Sequence, residues 1–150
     1  MSDGPPWDQD VVLPPLLGAA RRTYTTAIRS ALIDAGFDDV PRSGGAVLGR
    51  IARSGRNLGD VAGELAVSKQ AASQLIDTLV TRDYVERAPD PDDRRRVTVG
   101  LTDRGRAAAA VIRQAIERVD AALATRVGAD DLARTRAVLR TIVEMGHDRS

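Results

Sequence analysis

Hydrophobic and polar residues follow one another along this chain mainly with the period of an α-helix. Apolar side chains recur at helical spacing in six stretches, at about 16–35, 39–53, 58–66, 68–82, 103–126 and 130–145. Between the fourth and fifth stretches, residues 84–87 and 97–101 have the composition of short strands and enclose the turn-rich segment 88–93. The pattern therefore predicts a mainly α fold with one small β-hairpin.

Residues that start and stop helices agree with this division. Gly36 and Gly128 follow helical stretches and are expected to end them, whereas Ser68 and Thr102 precede helical stretches as N-caps. The Gly44-Gly45 pair weakens the first turn of the second helix, by about 1 kcal/mol for each glycine relative to alanine. Its presence is explained if another backbone passes close to that turn.

Two adjoining segments carry the most specific motifs. A short helix at 58–66 and a capped helix at 68–82, joined by a tight connection, have the order of a helix-turn-helix. The sequence around them reads NLGDVAGELAVSKQAASQLIDTLVTRDYVER, and beyond the hairpin turn it continues DRRRVTVGLTDRG. Both segments resemble the MarR family of winged-helix regulators (multiple antibiotic resistance regulators), the second through its Asp, any residue, Arg, and then Leu-Thr.

The resemblance covers nearly the whole chain and implies a winged helix-turn-helix domain flanked by N- and C-terminal dimerisation helices. The DNA-binding lobe corresponds to residues 42–101, and the dimerisation helices correspond to residues 11–36 and 103–146. Family members bind pseudo-palindromic operators as homodimers and release them when a ligand binds, often a small aromatic or phenolic compound. The resemblance therefore implies a transcriptional repressor whose partners are double-stranded DNA and a second copy of itself.

The chain departs from the family pattern at two positions. Asp83 stands where the family usually has a glycine that ends the recognition helix. Aspartate adopts a left-handed backbone more readily than most residues, so the turn is expected to survive. Gln74 stands where an arginine is common, which puts the usual base contact of the family in doubt.

The exposed start of the helix at 68–82 carries candidate DNA-contacting residues. A recognition helix that enters a groove by its N-terminus places such side chains against base edges and phosphates. Glutamine can pair with adenine, lysine with guanine or phosphate, and a small alanine permits close approach. The alternative is an ordinary polar face of a packed helix. The candidates are Ser68, Lys69, Gln70, Ala72, Ser73 and Gln74.

Strand alternation predicts two faces for the hairpin, or wing. Val97, Val99 and Leu101 are expected to pack on the domain, with Thr98 and Gly100 facing solvent.

The same alternation extends to the arginines at the wing turn. It places Arg95 with the packed residues, where it can fold onto Asp93, and leaves Arg94 and Arg96 free to meet DNA. A narrow minor groove over A·T-rich sequence attracts arginine through its enhanced negative potential. The alternative is a solvated hairpin tip whose charges only keep the protein soluble.

Charge and composition add limited support. The net charge of +1 divides into −3 in residues 1–41, +3 in residues 42–106 and +1 in the remainder, so positive charge concentrates in the middle of the chain. The chain has no cysteine, which excludes disulfides and thiol chemistry and fits a reducing compartment. No apolar run approaches the roughly 18 residues of a spanning helix, so a cytoplasmic protein without a membrane partner is expected.

Catalysis has little support in the sequence. His147 is the only histidine and lies near the C-terminus, and the pairs Asp38-Asp39, Asp92-Asp93 and Asp130-Asp131 are explained by helix capping and dipole stabilisation. We therefore expect no enzyme, no cofactor and no metal site. The competing hypothesis is a winged-helix module for protein interaction or assembly that binds no specific DNA. Salt-sensitive binding to a pseudo-palindromic duplex separates the two.

Overall fold

The structure, a computed structural model, describes residues 12–53, 68–90, 92 and 97–147. Within these residues the fold is mainly α with a two-stranded antiparallel wing, as predicted. The predicted helix at 58–66 lies outside the described residues. The helices are α1 (Leu13–Asp34), α2 (Gly44–Arg53), α3 (Lys69–Thr81), α4 (Asp103–Val127) and α5 (Ala129–His147), and the strands are β1 (Val85–Pro89) and β2 (Val97–Leu101).

Local sequence signals set the ends of the long helices. Helix α1 begins somewhat earlier than predicted because the Pro14-Pro15 pair fits a first turn, where backbone N–H groups lack helical partners. Gly36 and Gly128 have φ angles of +82° and +88° and follow α1 and α4. Both glycines therefore end helices as the sequence predicts, by adopting the left-handed backbone conformation that favours glycine.

Helix α2 begins at Gly44, later than predicted, and Gly44 is buried. A Cβ atom on this residue would lie 3.0 Å from Pro41 Cδ, 3.1 Å from Val40 Cγ1 and 3.2 Å from Leu79 Cδ2. The expectation that another backbone passes close to this turn is therefore wrong, because these neighbours are side chains. The missing side chain lets α2 pack closely on α3.

One hydrophobic core lies among α2, α3, the wing and the first half of α4. Leu48 of α2, Ile76 of α3 and Tyr84 are fully buried in it, whereas Val80 of the stripe predicted for α3 is 36% exposed. Arg29 of α1 binds the turn before α2. Its guanidinium group donates to the carbonyl oxygens of Val40 at 2.8 Å and Asp38 at 3.1 Å. Because the apolar face of α3 packs in this core, its polar face lies toward solvent.

The wing extends beyond the buried part of the domain. Its register pairs Val85 with Leu101 and Pro89 with Val97. Strand β1 starts and ends slightly later than predicted, and of its residues only Val85 is buried. In β2, Val99 is 2% exposed but Val97 is 58% exposed, so the prediction that Val97 packs on the domain is wrong. Only the base of the wing reaches the core.

The chain divides into two compact units, residues 1–115 and 116–150. The second unit contains the end of α4 and all of α5, which are joined by an ion pair of 2.5 Å between Arg136 Nη2 and Asp120 Oδ2. Leu132 is buried, whereas the rest of the predicted apolar stripe of α5 is exposed, namely Val138, Leu139, Ile142 and Val143. Among the described helices, none combines the length and apolarity that crossing a bilayer requires.

Candidate DNA-binding surface

Helix α3 is held at its start by a side-chain cap. Ser68 has an extended backbone, and its Oγ accepts a hydrogen bond of 3.1 Å from the N–H of Ala71. This bond satisfies one of the donors that the first helical turn leaves free, and it confirms the predicted N-cap. The cap fixes where α3 begins and therefore which of its side chains face solvent.

Helix α3 has a buried apolar face and an exposed polar face. Ala72, Ile76 and Leu79 are fully buried. Gln70, Gln74 and Asp77 follow one another at the i+4 and i+3 spacing of a single helix face, and all three are exposed. We call these three residues the polar face of α3. It offers amide donors and acceptors together with one carboxylate.

The predicted contact residues of α3 differ in their exposure to solvent. Ser68, Lys69, Gln70 and Gln74 are exposed, and Ser73 is half-buried. The methyl group of Ala72 is fully buried, so it cannot line a surface that DNA approaches. Ala72 belongs to the core, and the candidate surface does not include it.

The wing arginines Arg94, Arg95 and Arg96 lie outside the described residues, and their roles stay predictions. Arg95 was predicted to lie with the packed side chains because Val97, on the same strand face, was expected to be buried. Because Val97 is 58% exposed, strand alternation no longer distinguishes Arg95 from its two neighbours.

An ion pair joins α3 to the wing. Arg87 of β1 lies with its Nη2 2.6 Å from Oδ1 of Asp77, and the two side chains are 39% and 57% exposed. Exposed pairs of this kind contribute about 0–1 kcal/mol to stability. The pair therefore matters more for the surface, because it partly neutralises the one carboxylate on the polar face of α3.

The connection between α3 and β1 depends on Asp83. This residue has a φ of +60° and is the only non-glycine with positive φ among the described residues. Its carbonyl oxygen accepts a hydrogen bond of 2.5 Å from the Thr102 hydroxyl. The prediction that aspartate sustains this turn in place of glycine is confirmed.

Thr102 and Gly105 attach the start of α4 to the same connection. Thr102 Oγ1 accepts from the Gly105 N–H at 3.0 Å, which confirms the predicted cap, and the Thr102 N–H donates to the Tyr84 carbonyl at 3.2 Å. A Cβ atom on Gly105 would lie 1.9 Å from that carbonyl oxygen. The Leu-Thr-x-x-Gly segment thus has a physical reason: its threonine caps α4, and its glycine leaves room for the neighbouring backbone.

A polar cluster lies beside this connection and consists of Asp39, Arg82, Tyr84 and Arg104. We call it the Asp39 cluster. Arg104 Nη2 donates to both carboxylate oxygens of Asp39, at 3.0 and 3.2 Å, and the Tyr84 hydroxyl donates to the same carboxylate. Arg82 donates to the Asp39 carbonyl. The Arg104 guanidinium also lies 4.5 Å from the centroid of the Tyr84 ring.

The ionisation of this cluster follows from its hydrogen bonds and charges. The hydrogen bond from Tyr84 and the positive charge of Arg104 lower the pKa of Asp39 below its ordinary value. Burial and the hydrogen bond to Asp39 raise the pKa of Tyr84 to about 12. At neutral pH Asp39 is therefore a carboxylate and Tyr84 a neutral phenol, so the hydroxyl of Tyr84 donates to a charged acceptor.

The Asp39 cluster was not predicted from the sequence. Asp38-Asp39 was predicted to cap a helix or stabilise its dipole, but the Asp39 carboxylate binds Tyr84 and Arg104, which are 45 and 65 positions away. No local pattern links residues at such separations. Within the described residues, no group of acidic or histidine side chains has an arrangement that would hold a metal ion.

The central part of the chain is similar to a known protein family. A family model described as MarR family matches residues 38–96, which include α2, α3 and β1. No curated protein sequence matches the chain at a significant level.

Solved structures resemble the chain over nearly its full length. A crystal structure of MarR has 25% identity and a TM-score of 0.74, with 95% of each chain covered. The transcriptional repressor CouR, bound to a 23-mer DNA duplex, has 25% identity and a TM-score of 0.69, with 88% of this chain and 92% of CouR covered. FabT of Streptococcus pneumoniae, in complex with DNA, has 18% identity and a TM-score of 0.75, with 91% and 96% covered. The likeness therefore includes the terminal helices as well as the winged lobe.

Proposed function

We propose that this chain, which belongs to the MarR family of winged helix-turn-helix transcriptional regulators, is a homodimeric repressor that leaves a pseudo-palindromic operator when a small ligand binds. Membership rests on the family model over residues 38–96 and on solved regulators that match nearly the whole chain. The chain is a DNA-binding transcriptional regulator, and we propose no catalytic function for it.

One observation carries the DNA-binding proposal: a capped helix presents a polar face beside the wing. Ser68 fixes the start of α3, and Gln70 and Gln74 are exposed on it. Such amide side chains can make paired hydrogen bonds with adenine in the major groove. We therefore name α3 the recognition helix. CouR, at 25% identity, is a repressor bound to duplex DNA, which supports the same role for the winged lobe, residues 42–101.

Exposed apolar side chains support the homodimer. Of the thirteen large hydrophobic residues that are exposed in the described chain, eleven lie in or next to α1, α4 and α5. Covering such surface is favourable by roughly 25 cal/mol per Å², and a two-fold interface would cover the same residues on both copies. We propose residues 11–36 and 103–146 as this interface. The eleven are Val12, Leu13, Leu16, Leu17, Ile33, Val127, Val138, Leu139, Ile142, Val143 and Met145.

The effector is proposed from the family alone. Small aromatic or phenolic compounds are the expected class, and half-buried Tyr24 on α1 is the described aromatic residue best suited to line a site near the dimerisation helices. A thermal-shift series with phenolic acids, paired with release of labelled operator, tests this part separately from DNA binding.

Selection of bound sequences from a random duplex pool, at a stated salt concentration, tests the operator proposal. Two recognition helices on one duplex face predict two-fold-related half-sites about 10 base pairs apart. Insertion of about 5 base pairs between them is expected to abolish tight binding, because it turns one half-site to the opposite face of the duplex. A single asymmetric half-site would contradict the dimeric arrangement. Binding to no duplex would instead favour a protein-interaction module.

Substitution of Gln74 tests the base-reading role of α3. Gln74→Ala is expected to cost about 1–3 kcal/mol at one base position and to leave the salt dependence of binding unchanged, since no charge is lost. Arg94→Ala and Arg96→Ala are expected to reduce the slope of log affinity against log salt by roughly 0.9 for each phosphate that is no longer neutralised. Equal losses on all sequences for Gln74→Ala would contradict its assignment.

A further inference from the structure

We propose that Asp39, Tyr84 and Arg104 are positioning residues for DNA binding, because they hold the recognition helix and the wing in one fixed relation. The inference deepens the proposed function and rests on it. None of the three residues belongs to the polar face of α3. They act through the geometry of the residues that do.

The three residues join segments that are distant in sequence. Asp39 lies in the turn before α2, Tyr84 lies between α3 and β1, and Arg104 lies in the first turn of α4. The hydrogen bonds of 3.0 and 3.2 Å from Arg104 to the Asp39 carboxylate close this connection. Both contacts come from one guanidinium nitrogen, Nη2, which leaves Nη1 to bind a second partner.

Arg104 also holds the C-terminal end of the recognition helix. Its Nη1 donates to the carbonyl oxygen of Arg82 at 3.0 Å, directly after the last residue of α3. The final carbonyl groups of a helix lack helical partners, and a positive charge is favourable at this end. Arg104 therefore satisfies a helix end and binds Asp39 with the same guanidinium group.

Tyr84 connects the Asp39 cluster to the hydrophobic core, because its hydroxyl binds Asp39 while its ring is buried. Its side chain is fully buried, its ring centroid lies 6.2 Å from that of Phe37 in an edge-on arrangement, and Arg104 stacks over its face. The buried ring and the hydroxyl bond to Asp39 give this residue little freedom to move. The start of β1, which follows Tyr84 directly, is thereby fixed against the end of α3.

Both proposed DNA-contacting elements are anchored at this point, since α3 ends and β1 begins here. DNA that touches the recognition helix and the wing together requires a particular relation between them. If that relation were established only on binding, its ordering cost would be subtracted from the affinity. The cluster sets the relation in the free protein.

Direct binding of a phosphate by Arg104 is the competing explanation, because its side chain is 38% exposed. The two roles differ in their salt dependence. Removal of a phosphate-binding cation lowers the slope of log affinity against log salt by roughly 0.9, whereas loss of positioning lowers the affinity at every salt concentration and keeps the slope.

The experiment is a titration of the selected operator with the full chain and its variants over a salt series. Arg104→Gln and Asp39→Asn are each expected to weaken binding about tenfold with an unchanged slope, and the double variant is expected to be no weaker than the worse single one. The matched control is Arg106→Gln. Arg106 lies in the same turn, but its contacts are local, to Asp103 and to the Leu101 carbonyl oxygen at 2.6 Å, and neither involves Asp39, α3 or β1. The affinity of Arg106→Gln is therefore expected to stay within about twofold of the wild type.

A second variant and a second measurement guard against misfolding. Arg104→Lys keeps the positive charge but loses the planar pair of donors, so it is expected to weaken binding as Arg104→Gln does. Without DNA, amide hydrogen exchange in residues 85–88 of β1 is expected to accelerate in Arg104→Gln and in Arg104→Lys. If Arg104→Gln does not fold, Arg104→Lys and Asp39→Asn decide the question on the same readouts.

Three results would overturn the inference. Wild-type affinity in Arg104→Lys and Asp39→Asn would show that the cluster does not position the DNA-contacting elements. A slope lowered by about 0.9 in Arg104→Gln, with full affinity in Asp39→Asn, would make Arg104 a phosphate-binding residue. A wild-type protein that selects no duplex would refute the proposed function, and the inference with it. The first two results leave the proposed function intact.

Discussion

Gly105 shows how much a single position controls in this chain. It lies where a Cβ atom would come within 1.9 Å of the Tyr84 carbonyl oxygen, and that neighbour is backbone, which cannot turn aside like a side chain. Gly105→Ala is therefore expected to lower the free energy of unfolding by about 1–3 kcal/mol, through a forced shift of α4 from the wing. Urea denaturation measures the change.

Gly18→Ala is the control for that substitution. Gly18 lies inside α1, where the nearest atom to an added Cβ is Arg22 Nη1 at 3.9 Å. Alanine there is expected to raise stability by about 0.5–1 kcal/mol, because it reduces the freedom of the unfolded chain without meeting an obstacle. Equal effects of the two substitutions would mean that the approach at Gly105 relaxes freely.

Tyr84 predicts a loss of stability at alkaline pH. Its pKa rises from an ordinary value of 10.0 to about 12 in the folded protein, through burial and its hydrogen bond to Asp39. A raised folded-state pKa contributes stability that is complete below pH 10 and is lost as the pH rises toward 12. Unfolding of the wild type and Tyr84→Phe, compared across this range, should show the extra loss in the wild type alone.

Ultraviolet absorbance provides the direct check, since the chain has only two tyrosines. The phenolate signal that disappears in Tyr84→Phe should be centred near pH 12. If the phenolate signal that Tyr84→Phe lacks is instead centred near pH 10, Tyr84 is not held by the cluster.

Residues whose roles depend on their near neighbours were predictable from the sequence. Ser68 and Thr102 cap helices because each accepts from an N–H group three positions ahead, which is a local relation. Asp39 was misassigned because its carboxylate acts over 45 and 65 positions, and the partners meet only after the core has formed. The sequence therefore predicts side-chain roles that depend on near neighbours, but not roles that depend on contacts between residues distant in the sequence.

At the scale of elements, the recognition helix depends on its first turn. Ser68→Ala removes the acceptor of the Ala71 N–H and is expected to cost about 1 kcal/mol of stability. Ser73→Ala, within the same helix and outside the cap, is the matched control and is expected to change stability by less than about 0.5 kcal/mol. Thermal unfolding distinguishes the two. If Ser68→Ala loses no more stability than Ser73→Ala, the role of Ser68 as the N-cap of α3 is contradicted.

The wing shows where element-scale prediction fails. Alternation along β2 was expected to bury Val97 together with Val99, yet their exposures are 58% and 2%. Alternation says which side chains share a face of the strand, but it does not say how far the core extends beneath that face. The hairpin reaches past the core, so Val97 is exposed although it lies on the same strand face as the buried Val99.

At the scale of the whole molecule, the exposed apolar residues of α5 bear on assembly. Ile142 is 37% exposed, and in the proposed dimer it is covered by the second copy. Ile142→Glu would place a carboxylate in that interface, and a buried charge without a partner costs several kcal/mol. The dimer dissociation constant is therefore expected to rise at least about a hundredfold, a shift that sedimentation velocity over a concentration series measures.

Arg140→Gln is the matched control on the same helix. Arg140 is a charged and exposed residue, and its substitution leaves the apolar residues of α5 unchanged. The dimer dissociation constant of Arg140→Gln is expected to match that of the wild type. A wild-type chain that stays monomeric at micromolar concentration would contradict the dimer, whichever variant is compared.

The left-handed turn at Asp83 has a consequence for how this chain can evolve. With a φ of +60°, the position suits glycine, asparagine and aspartate far better than any β-branched residue. Aspartate codons are a single base change from glycine codons and from asparagine codons. Genetic drift can therefore exchange all three residues without an unfavourable intermediate. The backbone shape is strictly limited here, while the identity of the residue remains open to neutral change.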